Sequence, residues 1–387
     1  MLRTYLLTVV LPIAAALLSA CEKIRVEEPP VACTVLAYLA GDNNLSAEVA
    51  QKAEAMRQGA AAANVGTLLV YWDKPQGASL QRLAADGSFE TIETYGQEDS
   101  ASAEVFGRVL RRAFELAPAE RYGLIFFSHA SGWMPFGMLQ NPTRSIGWDS
   151  AGNSAGHTEM ELADFAEAIP DGALDFILFE ACLMSGIEVA YALRSKADFM
   201  LASSAEIVSP GFTPIYPAAL HGLLAQRGEV AQNLERFGQA YMSYINQLAE
   251  QDRSATLSLI DLREVDALAN STREIIGLYP RSVDLETMQH FDRPGSYGDN
   301  PGVARYFDLE EWIETGTSSE KYFTVWERQL KRTVRWDFCT KYFLPSHNGF
   351  EILRHSGLTV YLEREELPIL NEKYHKTEWW QFINNSQ

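Results

Sequence analysis

The 387-residue chain is 47% apolar and 21% charged, an ordinary globular balance that argues against extended disorder. Its formal charge of −19 argues against nucleic acid, which needs clustered Lys and Arg, and favours basic partners in a salt-dependent way. The length provides for a large core and allows more than one domain.

The chain begins with a targeting segment. Arg3 supplies a positive n-region, and Leu6–Leu18 is an apolar stretch too short to span a bilayer comfortably. Leu18-Ser19-Ala20-Cys21 closes it with small residues before a cysteine. That pattern resembles a bacterial lipoprotein signal, in which Cys21 becomes the lipidated first residue; an ordinary secretory signal is the alternative. Either exports the mature chain, anchored by lipid at the outer membrane (periplasmic face or cell surface) or otherwise secreted. Residues 22–31, ending in Pro29-Pro30, read as a tether.

Strand-like apolar runs follow at Thr34–Leu39, Thr67–Trp72, Leu124–Ser128, Asp175–Phe179 and Met200–Ser203. Helical patterns at Ser46–Ala63, Ala103–Leu116, Glu159–Ile169 and Leu183–Lys196 separate them. Such alternation predicts βαβ units, a mostly parallel sheet and helices on both faces. Leu80–Glu93, punctuated by Asp86-Gly87, reads as an edge hairpin. Residues 32–225 thus form an α/β region.

Residues 226–387 are expected to add helices and strands to the same unit. Val230–Leu248, Leu262–Leu278, Ser318–Thr333 and Glu378–Ile383 read as helices, Thr256–Ile260 and Leu358–Leu362 as strands. Pro280–Gly302, rich in Pro, Gly and Asp, reads as a surface excursion.

Two strands end on reactive side chains. Leu174–Ala181 leads to Cys182, and Gly123–Ser128 leads to His129, about 50 residues earlier, a spacing shared with caspases. Ligands bind beyond the carboxyl ends of strands in an open parallel sheet, so thiol and imidazole are expected at one edge. That is what a cysteine nucleophile and its proton-transfer partner require. Cys182 at the start of the Leu183–Lys196 helical pattern would have its thiolate favoured by the helix dipole. The backbone N–H groups of Cys182 and Ala130 are the expected oxyanion donors. Cys33 and Cys339 are free to pair in an exported chain, though nothing in their spacing requires it. No zinc-type spacing occurs.

Ser128-His129-Ala130-Ser131-Gly132-Trp133 and Glu180-Ala181-Cys182-Leu183-Met184 resemble the histidine and nucleophile motifs of clostripain-like peptidases. Tyr38–Leu45 is similar to their opening strand and turn, Ser203–Phe212 to the loop after a later strand, and Ser356–Tyr361 and Tyr374–Trp380 to the C-terminal end of lipoprotein members. The resemblance implies a caspase-like three-layer α/β/α sandwich with a helix-rich C-terminal extension. It also implies an endopeptidase acting on proteins or peptides after Arg or Lys, with Cys182 as nucleophile and His129 as its dyad partner. Glu180 then corresponds to the acid that receives the basic P1 side chain, with Glu206 a second candidate for the pocket wall. Arg144, in the loop between the dyad residues, is a candidate self-cleavage point. Calcium dependence is a further family trait, for which Asp42, Asp73 and Asp149 offer oxygen ligands without specifying a site. Two departures bear on specificity: Ala130 replaces the usual glycine and Glu180 the usual aspartate. They motivate an alternative, a caspase-like binding lipoprotein without turnover.

Overall fold

The computed structural model describes residues 32–384 apart from 62, 64–65, 139–145, 151–157, 226–228, 280–282 and 297–301. Cys21 and Arg144 lie outside the described residues.

A nine-stranded sheet runs through the molecule. In spatial order its strands are Val334–Cys339, Thr256–Asp261, Ala197–Ala202, Leu174–Glu180, Tyr122–Phe127, Thr34–Leu39, Thr67–Trp72, Ala78–Leu83 and Phe89–Gly96. The five central strands are mutually parallel. They are covered on both faces, which is why they read as near-continuous apolar runs; every residue of Thr34–Leu39 is buried. The predicted hairpin forms one antiparallel edge. Two strands from the second half form the other.

Side chains alternate between the two faces. One core gathers Tyr38, Phe106, Phe126, Phe165 and Phe179 under helices Ala103–Leu116 and Leu162–Ala168. The other gathers Ile125, Phe127, Leu178 and Leu201 under helices Ser46–Ala61, Tyr216–Leu223 and Val230–Gln247. The result is a three-layer sandwich. Among the described residues no helix is long and apolar enough to cross a membrane.

Four sequence expectations change. The helix after Cys182 spans only Ile187–Leu193. Leu183 takes φ 62°, and the N–H groups of Leu183 and Ser185 donate to Ala205 and Ser203 carbonyls, both at 3.0 Å, so this stretch turns and then runs along its neighbour. Leu358–Leu362 contributes only a short strand, Thr359–Val360, paired with Phe307–Asp308 outside the main sheet. The described part of 280–302 is no mere surface excursion, since Met288, Phe291 and Asp292 are buried. Finally, Val334–Cys339 is a strand that the sequence reading missed; it follows helix Glu320–Thr333 with no breaker between.

Candidate active site

Strands Tyr122–Phe127 and Leu174–Glu180 are hydrogen-bonded neighbours, with Phe127 opposite Glu180. Each chain continues past the same edge of the sheet, and His129 and Cys182 line one cavity of about 250 Å³ there. Both are largely covered, 6% and 8% exposed, but they face this hollow rather than a sealed core. The two loops are fitted together by Gly132, at φ +64°, where an added Cβ would lie 2.6 Å from the Leu183 carbonyl oxygen. Only glycine tolerates both that φ and that approach.

The Cys182 sulfur accepts a hydrogen bond from the Ile207 N–H at 3.4 Å. That donor favours a charged sulfur. The shortened helix removes the expected dipole contribution, because Cys182 lies a full turn of irregular chain before Ile187. His129 Nε2 lies 2.6 Å from the Asn44 Oδ1, and the ring packs beside Trp148 with centroids 5.2 Å apart. A carbonyl oxygen only accepts, so Nε2 carries a proton in this contact. Asn44 was not singled out from sequence, although it lies in the Gly41–Leu45 turn that did attract notice. The turn is braced by Asn43, whose amide donates to the Trp148 carbonyl at 2.7 Å and whose oxygen accepts from the Leu45 N–H at 2.8 Å.

Ala130 is buried, bridges to Ile146 and does not take a positive φ, so the backbone there does not require glycine. Glu180 reaches the cavity, as expected of a pocket residue. Its carboxylate lines the cavity but is committed to the protein. The Lys52 ammonium, fully buried, lies 2.5 Å from Oε1; the Phe212 N–H donates to Oε1 at 2.6 Å and the Tyr216 hydroxyl to Oε2 at 2.7 Å. Lys52 also donates to Thr213 at 2.8 Å and stands 4.5 Å over the Phe127 ring. Gly211, at φ +60°, clears the space, since a Cβ there would meet Oε1 at 2.3 Å. Glu206 also lines the cavity, and it holds the Arg293 guanidinium at 2.7 and 2.8 Å. Lys52 and Arg293 both escaped the sequence reading. Lys52 left a signal: it shares a helix face with Val49, Ala53 and Met56, all buried.

A model of the clostripain family (Peptidase_C11) matches residues 37–332. The chain belongs to the clostripain family. Two solved structures of related peptidases cover nearly all of it. A secreted C11 cysteine protease from Bacteroides thetaiotaomicron, in complex with an irreversible peptide inhibitor, is 28% identical with a TM-score of 0.77, over 91% of this chain and 99% of the other. An inactive zymogen C11 protease from Parabacteroides distasonis is 28% identical with a TM-score of 0.76, over 92% and 100%. A comparison with curated proteins returns no match. The sandwich is therefore the caspase-like fold, and this clostripain-family chain is a cysteine peptidase.

Of the three carboxylates offered for calcium, two lie together. Asp73 and Asp149 converge on Ser100, whose hydroxyl lies 2.6 and 2.8 Å from their oxygens. Burial, opposed by the Ser100 hydrogen bond and aided by the charges of Asp149 and Asp42, pushes Asp73 up to about 8. Among the described residues no group of three or more His, Cys, Asp or Glu is arranged to hold a metal ion. The other cysteines stay free: Cys33 is buried and donates to the Leu223 carbonyl at 3.6 Å, and Cys339 lies on the opposite edge strand. No disulfide joins them.

Proposed function

We propose that this clostripain-family peptidase is an exported endopeptidase that cleaves after basic residues through a His129/Cys182 dyad. The supporting observation is the delivery of both side chains into one cavity from adjacent parallel strands. The Cys182 thiolate attacks the scissile carbonyl carbon while the oxyanion accepts hydrogen bonds from the backbone N–H groups of Cys182 and Ala130. Collapse expels the amine, which takes a proton from His129. His129 then removes a proton from water, and the resulting hydroxide cleaves the thioester and frees the thiolate. The N-terminal cysteine, Cys21, carries the lipid that holds the enzyme at the membrane. Arg144 is the self-cleavage point.

Peptides varied at P1, assayed with calcium and with chelator, test this reading. Turnover should be highest with Lys or Arg and should vanish in Cys182→Ala. Loss of turnover with chelator would show a calcium requirement. Incubated wild-type protein should yield two fragments that Cys182→Ala does not; a single band in both rules out self-cleavage. Cys21→Ser should release the protein from the membrane fraction.

A further inference from the structure

Three carboxylates line the cavity next to Cys182: Glu48, Glu180 and Glu206. A P1 cation needs one whose charge is not already balanced. Glu180 is balanced by Lys52 and Glu206 by Arg293. Displacing Lys52 would strip a fully buried ammonium of its counter-ion, and such breaks typically cost several kcal/mol. Glu48 differs. It lies in the first turn of helix Ser46–Ala61, partly exposed at the cavity wall, and its Oε1 accepts a hydrogen bond from the Ser209 hydroxyl at 2.7 Å. Among the described residues no Lys, Arg or His forms an ion pair with it.

We infer that Glu48, steadied by Ser209, is the residue that receives the basic P1 side chain, in place of Glu180. The inference rests on the endopeptidase reading above and names the specificity residue of that site. Glu48, at the start of a helix, and Ser209, from the loop after strand Ala197–Ala202, join at the wall of the cavity, so the carboxylate is held beside the path of an entering side chain. Its second oxygen is left for the incoming cation, and a charge-assisted hydrogen bond there discriminates against neutral side chains.

The test compares kcat/KM for otherwise identical peptides carrying Lys, Arg or norleucine at P1. Glu48→Gln should lower the basic-over-neutral ratio about tenfold or more, the worth of one hydrogen bond to a charged group, and leave the norleucine peptide unchanged. Ser209→Ala should move the ratio in the same direction by less. Glu54→Gln removes a charge from the same helix at an exposed position and should leave the ratio alone. A ratio unchanged in Glu48→Gln, or a wild-type preference for norleucine, overturns the inference while leaving the endopeptidase intact. Failure of wild-type protein on all three peptides, with no alkylation of Cys182 by a peptidyl electrophile, would instead sink the endopeptidase reading.

Discussion

Asn44 orients the imidazole through a single short contact, so its effect should be kinetic rather than structural. Asn44→Ala is expected to lower kcat by up to about 100-fold, as misplacement of a reacting group does, with little change in KM. Asn44→Asp keeps the acceptor and adds a charge that favours imidazolium, so activity should largely return and its alkaline limb should move to higher pH. An Asn44→Ala enzyme with wild-type kcat would remove Asn44 from the mechanism. Lys52 acts on stability. Lys52→Met leaves the Glu180 carboxylate buried without its partner and should cost about 3–5 kcal/mol in urea unfolding. Adding Glu180→Gln should recover part of that; a double variant as unstable as the sum of the singles would show that the two do not act as a pair. At this scale His129 and Cys182 were legible because each ends an apolar run, and the sheet carries such ends to one edge. The charge balance of Glu180 and Glu206 was not, because Lys52 and Arg293 reach them from 128 and 87 positions away in the chain.

The turn at Cys182–Gly186 and the His129–Trp133 loop depend on each other. Gly132→Ala forces a side chain into a left-handed backbone against the Leu183 carbonyl and should cost about 1–3 kcal/mol while slowing turnover. Unaltered stability and rate would show that the contact is slack. The helix was over-extended in the sequence reading because Leu183 and Met184 extend its apolar pattern across Ser185-Gly186, and nothing local announces a left-handed leucine. Strand Val334–Cys339 was missed for the opposite reason: its alternating exposure is that of an edge strand, and no Gly or Pro separates it from the preceding helix. That edge is tied to the site loop by His355, which contacts Asp337 and Ser204, both at 3.2 Å. Burial opposes charging of His355, but hydrogen bonds to Asp337 and Cys339 outweigh it and carry its pKa up to about 9. A raised folded value means that the stabilisation is complete below about 6.5 and is lost as pH rises through about 9. The melting temperature should therefore fall over that window, and His355→Gln should flatten the fall; an equal fall in both proteins would remove His355 as its source.

Across the whole molecule, the second half completes the site rather than accompanying it. Leu344 lines the cavity, Arg293 holds Glu206, and the Tyr306 hydroxyl donates to the Ser131 carbonyl at 2.5 Å. Both strands beyond Ala197–Ala202 come from residues after 250. Alternating βαβ patterns made the central parallel sheet readable from residues alone, whereas its caspase-like class came from the resemblance of the histidine and cysteine motifs. How the later segments fold back was not readable, since contacts such as Gly186 with Thr359 span nearly half of the chain and leave no periodic trace. The account stands on a single reactive thiol among the described cysteines. Mass spectrometry after brief treatment with a peptidyl electrophile bearing lysine at P1 addresses it most directly. One adduct on Cys182, formed far more slowly in His129→Ala, is the expected result. Modification of Cys33 or Cys339 instead, or a Cys182 rate indifferent to His129, would contradict it.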